Sequence, residues 1–269
     1  MTRIALFQST TGIDPDANAR ALLDAIEQAA AGGAEMLFTP EMSGLLDRDS
    51  ARAAKVLRLP DKDQVLAAVR DAAARYRIWL HVGSLAVLTN GGKVANRGFV
   101  IDREGEVRAT YDKLHLFDVD LPTGESWRES NVYSAGKGVV LVNGTPVGKL
   151  GLTICYDLRF PGLFARLAES DADVIAVPAA FTVPTGKAHW HVLLRARAIE
   201  AGLFVVAAAQ VGHHEDGRMT FGHSLVVDPW GEVTAVLPEG EGVVIGEPAG
   251  QRLGQPSTLG AHRSPRQLG

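Results

Sequence analysis

The sequence predicts an α/β domain: two mixed sheets packed face to face, with helices on the outer faces. Three observations carry that prediction. Short apolar, β-branched runs alternate with stretches of helical periodicity along most of the 269 residues. Helical stretches stand before and after groups of paired strand-length runs. No linker splits the interior and no internal repeat is visible, so residues 1–246 read as one domain and 247–269 as an irregular tail.

Arg3 to Gln8 is the first strand. Asp14 caps a helix with Pro15 at its first position, Ala19, Leu22, Leu23 and Ile26 recur at helical spacing, and Gly32-Gly33 ends it. Met36 to Thr39 is a second strand. A helix runs from Lys62 to Tyr76, with Val65, Leu66, Val69 and Ala72 on one face. Ile78 to Leu85 is a strand, Asn90-Gly91-Gly92 a hairpin turn, and Val94 to Ile101 its antiparallel return. Val107 to Tyr111 follows a second turn. Asp118 to Lys137 reads as a long irregular loop, either functional or disordered. Strands Val139 to Val142 and Val147 to Ile154 flank a turn at Asn143-Gly144. Leu163 to Ser170 is a short helix, Val174 to Val177 a strand and Thr185 to Ala201 a long helix. Leu203 to Ala209, Ser224 to Val227, Val233 to Leu237 and Gly242 to Ile245 complete the strands.

Composition describes an ordinary soluble enzyme: 46% hydrophobic and 22% charged residues. A net charge of -4 and a pI near 6.1 give no attraction to nucleic acid or anionic membrane. One cysteine suits a reducing cytosol, the N-terminus has no signal pattern, and no apolar run reaches membrane-span length. The expectation is a cytoplasmic protein without metal or cofactor.

The chemistry starts at that cysteine. Cys155 closes the strand Val147 to Ile154, and Tyr156-Asp157-Leu158-Arg159-Phe160-Pro161 follows, with Pro161 opening a helix. A strand-to-helix elbow exposes a side chain at a sheet's carboxyl edge and aims backbone N–H groups at the same point. A nucleophilic thiol needs a base. Glu41 directly follows Met36-Leu37-Phe38-Thr39-Pro40, and Lys113 lies just past another strand. Strand ends of an α/β sheet converge on one crevice. Read alone, Cys155 also fits a buried small hydrophobe, Glu41 an exposed loop acid and Lys113 a solvated surface lysine. As a trio they are expected to act together: Cys155 to attack, Glu41 to shuttle the proton, and Lys113 to favour thiolate and bind the oxyanion. The Tyr156 backbone N–H is the second oxyanion donor. A carboxyl near ~4.3 is a weak base for a thiol near ~8.5, so the site is expected to raise the one or lower the other.

In these segments the chain resembles the nitrilase superfamily of carbon–nitrogen hydrolases, which use a Glu–Lys–Cys triad. The resemblance rests on Thr39-Pro40-Glu41, Tyr111-Asp112-Lys113-Leu114-His115-Leu116-Phe117-Asp118 and Thr153-Ile154-Cys155-Tyr156-Asp157-Leu158-Arg159-Phe160-Pro161, with Ala188 to Glu200 and Phe221 to Gly231, all in order. It is nearest the Nit amidases, which act on deaminated glutathione or related ω-amides. It implies an α-β-β-α sandwich, a thioester acyl-enzyme, no metal, no cofactor, and a homodimer or larger assembly. The broadly apolar face of the long helix around Trp190, Leu193 and Leu194 serves either that assembly or internal packing against the sheet. The resemblance also implies a second site glutamate that orients the lysine or the substrate amide: Glu129, sixteen residues after Lys113, fits better than Glu125, twelve after it. His115 becomes a framework residue near Lys113, and Phe181 and Thr182 line the pocket. His213-His214-Glu215-Asp216 reads as a solvated turn rather than a metal site.

Two departures stand out. Gly162 occupies a position where related amidases usually carry Glu, and the prolines and glycines after Glu247 break the usual terminal helix. Two other functional readings share the motifs: a nitrilase acting on a nitrile, and a non-catalytic scaffold. Retention of Glu41, Lys113 and Cys155 speaks against the scaffold.

Overall fold

The computed structural model describes residues 2–120, 124 and 126–246. The tail 247–269 and Glu125 lie outside the described residues. In chain order, β1 (Ile4–Gln8) leads into α1 (Pro15–Ala31), β2 (Met36–Phe38), the short α2 (Ser50–Ala53) and α3 (Gln64–Tyr76). Then come β3 (Trp79–Leu88), β4 (Val94–Ile101), β5 (Val107–Asp112) and a small hairpin, β6 (Asp118–Asp120) with β7 (Ser126–Arg128). The second half runs β8 (Leu141–Thr145), β9 (Gly148–Leu152), α4 (Pro161–Glu169), β10 (Val174–Ala176), α5 (Val183–Ala201) and β11 (Phe204–Ala207). It ends with β12 (Val211–His213), β13 (Met219–Phe221), β14 (Ser224–Val227), β15 (Val233–Leu237) and β16 (Gly242–Gly246).

The strands form two six-stranded mixed sheets, ordered β16-β1-β2-β3-β4-β5 and β15-β14-β11-β10-β9-β8. Each has two parallel pairings at its centre, β1-β2-β3 in one and β9-β10-β11 in the other, with antiparallel strands outside them. Read from β16 and from β8, the two pairing patterns are identical. α1 and α3 cross between the parallel strands of the first sheet, α4 and α5 between those of the second. The two-residue period of a strand explains the layers. Ile4 and Leu6 of β1 and Met36 and Phe38 of β2 enter the core shared with the second sheet. Ala5, Phe7 and Leu37, pointing the other way, pack with Leu22, Ile26, Val65 and Val69 of the helices. The α-β-β-α sandwich is therefore the architecture, as the sequence predicts.

Local signals hold where the chemistry is local. Asp14 Oδ1 caps α1 by accepting from Asp16 N, Pro15 sits in the first turn, and Pro161 opens α4. Three expectations need correction. The segment after Asp118 is no featureless loop: Asp118–Asp120 pairs antiparallel with Ser126–Arg128, and Glu129–Asn131 is a 3-10 turn. The turn expected at Asn143-Gly144 falls instead at Pro146-Val147, because those residues extend β8 through a bulge between Val142 and Thr145. His213 is exposed, as a solvated turn requires, but His214 is buried. The unforeseen β12–β13 hairpin turns it inward, where Nδ1 meets Thr11 O at 2.9 Å and Nε2 meets Thr220 Oγ1 at 2.7 Å. Among the described residues no helix is long and apolar enough to cross a membrane, and no cluster of side chains could hold a metal ion.

Candidate active site

The two sheets bring Glu41, Lys113, Glu129 and Cys155 to one end of the sandwich, in a pocket of about 640 Å³. Each arrives by a different element. Glu41 follows β2, Lys113 is the first residue after β5, Glu129 opens the 3-10 turn after β7, and Cys155 opens a 3-10 turn (Cys155–Arg159) after β9. Cys155 has φ 49°, a left-handed backbone unusual for a residue with a Cβ. That bend ends the strand and turns the thiol into the crevice, while Cys155 N–H donates to Pro178 O at 2.8 Å.

One side chain holds the bend in place. Buried Asp157 accepts from Ile154 N at 2.9 Å, Tyr111 Oη at 2.7 Å and His115 N at 3.0 Å, and His115 Nδ1 approaches it to 2.6 Å. Tyr111 and His115 flank Lys113 in the chain. Asp157 thereby ties the lysine segment of the first sheet to the cysteine elbow of the second. His115 also stacks on Phe160, ring centroids 3.5 Å apart, and serves as framework.

The carboxylates surround the lysine. Lys113 Nζ donates to Glu41 Oε1 and Glu129 Oε2, both at 2.9 Å. An ammonium has three N–H donors, so one remains for a ligand. Glu129 Oε2 also accepts from Phe117 N at 2.7 Å. Asn96 bridges the two glutamates, its Nδ2 donating to Glu41 Oε1 at 2.9 Å and Glu129 Oε1 at 3.1 Å. Glu41 Oε2 accepts from Ala180 N at 3.0 Å.

Burial pushes the Glu41 carboxyl upward, but the Lys113 charge and hydrogen bonds from Cys155, Lys113 and Asn96 outweigh it and hold the group below its ordinary value. Burial works against the Lys113 ammonium too, yet the Glu129 and Glu41 charges keep it far above the usual lysine range. The Cys155 thiol is pushed well up, by burial and then by the Glu41 charge, with Lys113 only partly opposing. The expected matching of carboxyl and thiol is thus reversed: the carboxyl is lowered and the thiol raised. The cause is geometric, since Lys113 pairs with Glu41 while the thiol meets the negative partner of that pair. At rest the site holds a carboxylate, an ammonium and a neutral thiol.

Tyr156, Phe181 and Thr182 line the pocket, the last two nearly buried. Tyr156 N–H belongs to the first turn of the 3-10 segment, where leading N–H groups have no partner inside the turn. Trp190 does not present an outward face: it is 1% exposed, its ring centroid lies 4.9 Å from that of Phe181, and its Nε1 donates to His223 O at 2.9 Å. Leu194 is buried as well, and the exposed apolar residues of α5 are Val192 and Ile199. Arg197 pairs with Glu200 at 2.8 Å along α5.

Sequence reasoning passed over Asn96, Asp157 and Arg159 as site residues. Asn96 left a signal, an amide in the middle of an apolar strand where asparagine is disfavoured. Asp157 and Arg159 stood inside the quoted motif without a role. Arg159 lines the pocket, touches His189 Nδ1 at 3.2 Å and sits over the rings of Tyr156 and Phe181. Among the described residues it has no carboxylate partner.

The chain is similar to known amidases and nitrilase-fold proteins. A deaminated glutathione amidase of Yersinia enterocolitica is 40% identical over 239 residues, covering 88% of this chain and 82% of that one. The crystal structure of the Caenorhabditis elegans NitFhit protein superimposes with a TM-score of 0.87 at 37% identity, covering 97% of this chain but 63% of that longer one. An amidase from Nesterenkonia sp. superimposes with a TM-score of 0.78 at 28% identity, over 91% of this chain and 89% of that one. Residues 3–255 match the carbon-nitrogen hydrolase family model, and with that match over nearly the whole length the chain belongs to the carbon-nitrogen hydrolase family.

Proposed function

We infer that this protein hydrolyses the amide of a small linear 2-oxo acid, with deaminated glutathione or a related ω-amide as substrate, through a Cys155 thioester. The observation that carries the reading is the Cys155 thiol sharing one pocket with a carboxylate that is itself paired with a buried lysine. Attack by sulfur on the amide carbon transfers the thiol proton to Glu41 as the S–C bond forms, so no free thiolate need accumulate. The carbonyl electron pair becomes an oxyanion, met by the remaining N–H of Lys113 and by Tyr156 N–H. Collapse breaks the C–N bond, Glu41 hands its proton to the leaving nitrogen, and ammonia or an amine departs. Water then attacks the thioester while Glu41 takes its proton, and breakdown returns the proton to sulfur. Glu129 holds Lys113 in line, and Arg159, uncompensated beside the nucleophile, receives the carboxylate of the 2-oxo acid.

The homologous deaminated glutathione amidase supports the substrate class. An assembly of two or more copies in the cytoplasm completes the reading, with Val192 and Ile199 the apolar side chains that α5 leaves for a partner. The test is release of ammonia or amine from deaminated glutathione, from a 2-oxo acid ω-amide and from the matching nitrile, side by side. Turnover of an amide supports the reading. Turnover of the nitrile alone makes the enzyme a nitrilase, and no turnover of any, with a thiol inert to iodoacetamide at neutral pH, leaves the scaffold. Light scattering at micromolar concentration reads the assembly, and a fully active monomer removes it.

A further inference from the structure

The pocket is lined by five cations, Arg48, Lys113, Arg128, Arg159 and Arg218, in a chain whose net charge is -4. Three of them are neutralised. Lys113 is held by Glu41 and Glu129, Arg128 by Asp120 at 2.8 Å, and Arg218 by buried Asp216 at 2.7 Å. Asp47, next to Arg48, is itself occupied by Arg52 through bonds of 2.7 and 2.8 Å. Two guanidiniums, Arg159 and Arg48, are left without a carboxylate among the described residues.

They stand at the two ends of a line of aromatic rings along the pocket. Arg159 lies 5.9 Å from the Tyr156 ring centroid. Tyr156 meets Phe117 edge-on at 5.1 Å, and Phe117 leans on Trp127 at 6.2 Å. Arg48 sits over the Trp127 ring at 4.9 Å. Trp127 carries a second unmet demand: its Nε1 is shut off from solvent and has no acceptor among the described residues. A buried donor without an acceptor, beside a cation without a counter-ion, is a combination that an anionic oxygen satisfies.

We propose that Arg48 and Trp127 form a distal anion subsite that receives a carboxylate on the leaving-group side of the substrate amide, three rings away from the Arg159 end. The inference rests on the amidase reading and sharpens it. The preferred substrate is elongated and carries a carboxylate at each end, as deaminated glutathione does, rather than a short ω-amide with one. The rings between supply apolar contact along the chain, and the indole holds the guanidinium in place.

The test compares deaminated glutathione with a twin whose terminal carboxylate is capped as an N-methylamide, followed by release of free amine. Wild-type enzyme is expected to prefer the carboxylate form in kcat/KM by about tenfold or more, the size of one charge-assisted contact. In Arg48→Ala the preference falls to near one, and Arg48→Lys restores part of it. A preference equal in wild type and Arg48→Ala, or none in wild type, overturns the subsite. If wild type cleaves neither compound, the amidase reading is what has failed. The subsite is then read by calorimetric binding of both compounds to Cys155→Ala and to Cys155→Ala with Arg48→Ala. The same loss of discrimination supports it, and equal binding of the two compounds to Cys155→Ala overturns it.

Discussion

The first sheet and the second share one frame, yet they contribute opposite things to the site. Ile4, Met36 and Trp79 are aligned across β1, β2 and β3 as Leu150, Val174 and Phe204 are across β9, β10 and β11. Counting forward from those rows, Cys155 falls where the first half has Ser9, and Glu41 falls where the second half has Ala179. Pro40 matches Pro178 in the same way. The first half therefore supplies the charged groups Glu41 and Lys113 together with Asn96, and the second supplies the Cys155 thiol. At the position matching Cys155, Ser9 is buried, with Oγ donating to Gln210 Oε1 at 3.3 Å in a side-chain network that includes Thr11. The position matching Glu41 is Ala179, which has no ionisable group.

Substitutions at matched positions can break the comparison, and the largest effect belongs to the nucleophile. Cys155→Ala should lower turnover by at least roughly 10³-fold while circular dichroism stays native, since a small side chain fits the elbow. Residual activity of a few per cent would remove sulfur from the mechanism. The carboxylates come next. Glu41→Gln should cost roughly 10³-fold and accumulate no thioester, because acylation itself needs the base. Glu129→Gln should cost roughly 10- to 100-fold and still acylate slowly, because only the lysine is displaced. Intact-mass measurement after a brief substrate pulse separates them, and identical behaviour would erase the division between the two glutamates.

Stability separates the halves further. Gly83 in β3 matches Ala208, the residue directly after β11. At Gly83 a Cβ would come within 2.1 Å of Thr39 O, 2.5 Å of Pro40 O and 2.4 Å of the Pro178 ring, so the two matched prolines meet over a glycine. Gly83→Ala should cost about 3 kcal/mol, since the opposing atoms include rigid backbone. A urea midpoint unchanged from wild type would show that the contact relaxes.

His81, on the same strand, matches Val206. It alternates with Leu80 and Val82 and so points into the layer between the sheets, against Phe38 at 5.6 Å. Burial lowers its pKa to about 3 from an ordinary 6.5. The folded value lies below the unfolded one, so the stability tied to this group is complete above pH ~6.5. It is lost as pH falls toward ~3, at up to about 1.4 kcal/mol per unit. His81→Val should flatten that part of the stability profile, and an unchanged slope would place the proton uptake elsewhere. The smallest effect is at the position that matches Cys155. Ser9→Ala should cost about 1 kcal/mol for its hydrogen bonds and keep turnover within about twofold of wild type.

How much of this was legible depends on the distance over which each feature is decided. Asp14-Pro15, Gly32-Gly33 and Pro161 act on the backbone within a few residues, and the elements they bound agree with the sequence reading. Glu41, Lys113 and Cys155 were legible because each closely follows a strand, and strand ends meet. Glu129 needed the family resemblance, since no local property separates it from Glu125.

The repeated frame left no trace in the sequence, because sheet order is a matter of hydrogen bonds between residues far apart in the chain. The β6–β7 and β12–β13 hairpins escaped for a related reason. Strands of three residues carry too little periodicity to stand out, and their stability comes from what they pack against. The sequence alone determined most of the longer elements and placed Glu41, Lys113 and Cys155 just past strand ends. Only the tertiary structure decided that Asn96 joins the glutamates, that Asp157 pins the elbow to the lysine strand, and that the thiol faces Glu41 while Lys113 neutralises it. Those outcomes rest on ångström distances between groups on different sheets, and electrostatic energy and hydrogen bonding change too steeply over such distances to be read from order along a chain.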